Sequence, residues 1–121
     1  MSRVEGSVTI DNQGEFRRLV LAADGPVVVN FTAAWCAPCR HLSPVLADLA
    51  REHAGRVHVA VVDVEQAPDL AQAYRVTSMP TLIAFRGGQV VAHMVGFGGR
   101  ATVQKLFDEL SLRAEAQSAT S

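Results

Sequence analysis

Cysteine is scarce in this chain: two residues in 121, Cys36 and Cys39. Two thiols are poor material for stapling a small secreted domain, whereas the spacing C-x-x-C is a familiar arrangement for redox work in a reducing compartment. An excess of one charge is lacking as well. The formal net charge is −1, and the Lys and Arg residues are scattered, which leaves no basic footprint for a phosphate backbone and argues against nucleic acid as a partner. No apolar run approaches the length that crosses a bilayer, and Met1-Ser2-Arg3-Val4-Glu5-Gly6 has no apolar leader segment. The expectation is a soluble cytoplasmic protein with neither a membrane nor a nucleic-acid partner.

What is present is a core. With 49% apolar residues the chain can bury one respectable interior and is too short for two ordinary domains. A single domain is expected over residues 1–113. Residues 114–121 have little to bury and are expected to form a flexible tail.

Hydrophobic periodicity orders the elements. Ser7 to Ile10 alternates like a short strand, and Asp11 or Asn12 then caps a helix. Asn12 with Glu15 three residues on has the form of a capping box, and Phe16, Leu19, Val20 and Ala23 share a helical face. Asp24-Gly25-Pro26 stops that helix before Val27-Val28-Val29-Asn30-Phe31, whose near-continuous apolar run suits a central strand covered on both sides. From about Cys36 to Glu52, Leu42, Val45, Leu46 and Leu49 form a core stripe, and Pro44 inside it predicts a kink. Val57 to Val64 reads as a strand, Pro68 to Tyr74 as a short helix, and Thr81 to Phe85 with Val90 to Val95 as an antiparallel hairpin turned at Arg86-Gly87-Gly88-Gln89. Arg100 to about Leu112 closes the chain with Val103, Leu106, Phe107 and Leu110 at helical spacing. The order β-α-β-α-β-α-β-β-α predicts an α/β fold, a central mixed sheet of about five strands flanked by about four helices.

The chemistry points to the cysteines. Disulfide exchange needs an exposed thiolate and a second thiol near enough to displace the mixed disulfide it forms. At the mouth of a helix, free backbone N–H groups and the dipole favour the Cys36 thiolate, so Cys36 reads as the nucleophile. Cys39, nearly one turn on and further inside, reads as the resolving thiol. Between them, Pro38 is tolerated in the first turn and stiffens the loop. A zinc site would need two more ligands, and His41, His53, His58 and His93 show no metal-like spacing, so no metal is expected. Arg40 intervenes before His41 and breaks the C-x-x-C-H haem pattern. Asp63, Glu65 and Asp69 read as loop or cap residues, with Glu65 to Asp69 expected to cap the following helix.

Taken together, Trp35-Cys36-Ala37-Pro38-Cys39-Arg40, Met79-Pro80-Thr81, Gly87-Gly88 and Val95-Gly96 resemble the thioredoxin family over roughly Ser7 to Leu112. The resemblance implies the thioredoxin fold and the reduction of protein disulfides through a Cys36/Cys39 dithiol. It implies a cis bond before Pro80, and Met79 backbone pairing with an extended substrate segment. It also implies an apolar substrate groove of Trp35, Met79, Pro80, Gly96 and Phe97. No bound cofactor is implied beyond the redox-active Cys36–Cys39 disulfide; electrons are expected from NADPH through thioredoxin reductase, and the protein is expected to be a monomer.

Three positions depart from the family pattern. Ala37 replaces the usual glycine between the cysteines, which stiffens the loop slightly. Asn30 occupies the place of a buried aspartate that helps move the proton of the second cysteine, and an amide cannot titrate. Its usual lysine partner falls at Val61. Losing both ions together is compatible with a stable fold, but leaves Cys39 to pass its proton through water or directly to sulfur, which predicts slower turnover. Two other readings compete with reduction: a peptide-binding or chaperone module with weak redox activity, favoured by Asn30 and Val61, and an oxidant or isomerase, disfavoured by a cytoplasmic location.

Overall fold

The computed structural model describes the backbone of residues 6–120 and the side chains of residues 6–112. Five strands, β1 (Ser7–Thr9), β2 (Val27–Thr32), β3 (His58–Asp63), β4 (Thr81–Arg86) and β5 (Gln89–Val95), lie in the order β1-β3-β2-β4-β5. The helices are α1 (Gln13–Phe16), α2 (Ala37–Glu52), α3 (Pro68–Ala73) and α4 (Arg100–Thr120). β3 runs parallel to β1 and β2, while β4 is antiparallel to both β2 and β5. This is the mixed sheet expected from the element order.

The apolar run of β2 is explained by its place at the centre. Val27, Val29 and Phe31 face one side, where they pack with Ile10, Phe16, Val20, Leu70, Ile83 and Phe85. Val28 faces the other, against Leu42, Leu46 and Leu49 of α2 and Val103, Phe107 and Leu110 of α4. A strand covered on both faces needs apolar residues at both parities; Asn30 is the exception, and it lies on the α2 side.

Local chemistry fixes the ends. Asn12 caps α1: its Oδ1 accepts the Glu15 N–H at 2.9 Å, and Glu15 Oε1 accepts the Asp11 N–H at 3.0 Å. The box therefore closes one residue earlier than its usual form. The chain then widens into a π-helical turn, Arg17–Leu21, and the helical face drawn at 3.6 residues per turn no longer holds: Val20 is buried but Leu19 is exposed. Ala67, without a side-chain cap bond, precedes α3, so Glu65 does not cap it. Asp63 instead closes the turn, its Oδ1 accepting the Glu65 N–H at 2.8 Å. In the hairpin, Gly87 (φ 58°) and Gly88 (φ 78°) supply the two positive φ values of a type I′ turn, and a Cβ on Gly88 would meet the Leu21 carbonyl at 3.1 Å.

Pro44 sits inside α2 without ending it. The backbone of α4 is helical to Thr120, through most of the stretch expected as a tail, where Ala114, Glu115, Ala116 and Gln117 are good helix formers; Ser121 lies outside the described residues. No helix among the described residues is long and apolar enough to cross a membrane.

Candidate active site

The site forms where β2 and β3 end and α2 begins. In a parallel pair the carboxyl ends of the strands and the amino ends of the following helices meet at one edge, which leaves backbone N–H groups free there. Cys36 is the N-cap of α2, with extended backbone at φ −88° and ψ 111°. Its Sγ takes the place of a capping oxygen and accepts the Cys39 N–H at 3.2 Å. Ala37 and Pro38 occupy the first turn, where a proline costs no helical hydrogen bond.

Cys36 and Cys39 are joined by a disulfide, with Cα atoms 5.3 Å apart. Around the sulfurs pack Ala33 from the end of β2, Val64 just after β3, and Met79. Cys36 Sγ lies 3.5 Å from the Met79 carbonyl oxygen. The Met79–Pro80 bond is cis, and Gly96 N–H donates to the Pro80 carbonyl at 2.8 Å. The loop before β4 and the one after β5 are thereby brought together beside the cysteine pair.

One expectation needs correction. The attacking sulfur was expected to be exposed, yet Cys36 is 3% exposed and Cys39 2%. The N-cap contact and the packing of Ala33, Val64 and Met79 draw both sulfurs under the surface in the disulfide form. Trp35, the chain neighbour of Cys36, stands at 64% exposure. Phe97 is partly buried and packs on the α2/α4 core.

Asn30 is 1% exposed and pairs in register with Val61 on β3. The two positions read as a lost ion pair are therefore direct neighbours across the sheet. Val61, 9% exposed, joins the core under α2, and Asn30 shares that side. Asn30 Oδ1 is buried and accepts no hydrogen bond among the described residues.

The sequence reading missed Ala33 and Val64, although both follow or end the strands whose carboxyl ends build sites in such sheets. It also missed a contact of Arg40, whose Nη1 donates to the Ala34 carbonyl at 3.1 Å. No spacing rule foretells that fold-back. The described residues hold no group of three or more potential metal ligands.

The thioredoxin family profile matches residues 7–109. The chain belongs to the thioredoxin family. It is 41% identical over 105 residues to thioredoxin C-2 of Corynebacterium nephridii, covering 85% of this chain and 97% of that one. It is also 41% identical over 97 residues to the bifunctional thioredoxin reductase/thioredoxin of Mycobacterium leprae, covering 79% of this chain and 21% of that protein. The crystal structure of the Malassezia sympodialis thioredoxin Mala s 13 superposes with a TM-score of 0.80 at 29% identity, covering 92% of this chain and 96% of that one. With a cysteine pair close enough to form a disulfide at the helix mouth, this thioredoxin-family chain is a thiol–disulfide oxidoreductase that reduces protein disulfides. The alternative of a binding module with incidental cysteines is not favoured.

Proposed function

We propose that Cys36 attacks the substrate disulfide and Cys39 resolves the product, with residues 1–113 as the single working domain. The observation that carries this assignment is the Cys39 N–H donated to Cys36 Sγ at the start of α2. A donor already aimed at that sulfur, with the positive end of the helix behind it, stabilises negative charge on Cys36 once the pair is reduced. The Cys36 thiolate bonds to one substrate sulfur and expels the other as a thiolate, which takes up a proton. Cys39 then loses its proton and attacks Cys36 Sγ, releasing the second substrate thiolate. Two electrons pass to the substrate, and Cys36–Cys39 is left oxidised.

The substrate segment lies along Met79, Pro80 and Gly96, with Trp35 and Phe97 at its borders. The half-buried Met79 beside Cys36 supports this placement. Asn30 and Val61 act behind Cys39 and leave its proton without a carboxylate acceptor. No cofactor is bound; electrons come from NADPH through a thioredoxin reductase. The fused reductase/thioredoxin relative supports that partner. The protein works as a cytoplasmic monomer.

Purified thioredoxin reductase and NADPH, with insulin as the disulfide substrate, test the electron source. Steady NADPH consumption that requires both the reductase and Cys36 is expected. Insulin reduction with dithiothreitol but none with the reductase would contradict that source.

A further inference from the structure

The segments that converge on the disulfide, residues 33–36, 76–80 and 95–99, contain no charged side chain. Charge reaches this surface from their neighbours. Arg100 is spent on Asp48 and Glu52, with Nη1 and Nη2 each 3.1 Å from a carboxylate oxygen. Asp63 is turned onto the Glu65 N–H. His41, Glu65 and Arg75 are exposed, and among the described residues no hydrogen bond or ion pair ties their side chains to the cysteine loop. Arg40 differs from all of these. Its guanidinium folds back over six residues and donates Nη1 to the carbonyl of Ala34, beside Trp35 and two residues before Cys36. It is exposed, and among the described residues it has no carboxylate partner.

A guanidinium carries five donors in a planar fork. One is used on Ala34, so the head is held in place at the lip of the site with donors to spare. Holding it there removes much of the side-chain entropy that makes a free surface arginine a weak partner. The geometry points to Arg40 as a specificity-determining residue for the disulfide exchange at Cys36: it selects protein segments that carry a carboxylate within a residue or two of the disulfide under attack. The carboxylate meets the free edge of the guanidinium in a charge-assisted hydrogen bond, and a lysine at the same place in the substrate is repelled. This inference rests on Cys36 being the attacking sulfur.

Three cyclic disulfide peptides that differ only in one residue beside a cysteine, Asp, Asn or Lys, provide the test. The pre-reduced full chain is mixed with each, the reaction is quenched by alkylation, and second-order rate constants are compared. For the wild type at low salt the Asp peptide is expected to react about 5–10-fold faster than the Lys peptide, with the ratio shrinking at high salt as screening takes hold. Arg40→Gln is expected to bring the ratio close to one, Arg40→Glu to invert it, and Arg40→Lys to keep a preference of the original sign. A ratio already near one in the wild type, or one that survives Arg40→Gln, would overturn the role of Arg40. A merely structural clamp would change all three rates alike and leave the ratio intact, which also counts against it. Failure of the Cys36 reading is distinguishable: Cys36→Ser would then still open the Asn peptide's disulfide at the wild-type rate and stop at a mixed disulfide on Cys39.

Discussion

Cys39→Ser is expected to stop the reaction halfway, leaving the protein covalently joined to its substrate through Cys36. The serine oxygen cannot displace a disulfide, so the adduct formed by Cys36 persists until an external thiol removes it. Cys36→Ser is expected to form no such adduct and to lose turnover on the order of 10³-fold or more, because the only sulfur capping α2 is gone. Non-reducing electrophoresis and intact mass after exposure to a disulfide protein would read both outcomes. Trapping through Cys39 in the Cys36→Ser protein would reverse the assignment. The two cysteines have unequal surroundings: Cys36 Sγ receives the Cys39 N–H and faces the Met79 carbonyl, whereas Cys39 lies within the first turn of α2.

Asn30→Asp is expected to act on rate and stability in opposite senses. A carboxyl placed there enters a site 1% exposed, opposite Val61, with no cation in register to receive it. Desolvation holds such a group above the ordinary Asp value. Where it is ionised it offers Cys39 a proton acceptor, and reduction is expected to speed up by about 10–100-fold, rising with pH through the new group's titration. Stability moves the other way. Between the unfolded and the raised folded value the native state holds the extra proton, so stability falls as pH rises across that window, by about 1.4 kcal/mol for each pH unit it spans. Adding Val61→Lys restores an opposite charge on the neighbouring strand and is expected to recover part of the loss. Urea unfolding and stopped-flow reduction over a pH series would measure both. A rate unchanged at every pH would show that this position takes no part in moving the Cys39 proton.

Much of this architecture is legible in the sequence because it rests on repeated, local physics. The near-continuous apolar run of β2, with residues of both parities, marks a strand buried on both sides. The Gly87-Gly88 pair marks a turn that needs two positive φ values, and C-x-x-C with Pro38 marks a helix start that carries sulfur. The Asn30 and Val61 positions, thirty-one residues apart, fall in register as expected because β2 and β3 are parallel neighbours.

What the sequence concealed depends on contacts between distant or flexible groups. Leu19 leaves the core because the helix widens into a π turn, which a 3.6-residue period does not foresee. The burial of Cys36 depends on Met79, forty-three residues away. The fold-back of Arg40 onto Ala34 is one rotamer choice among many for a long side chain. That Asn30 Oδ1 meets no donor among the described residues is visible only once the packing around it is known.

The central claim, that the Cys36/Cys39 pair reduces protein disulfides with Cys36 as the attacking sulfur, is tested most directly by insulin reduction in dithiothreitol. The wild type is expected to accelerate reduction well above the dithiothreitol background, and Cys36→Ser to fall to that background. Acceleration that survives Cys36→Ser would contradict the account.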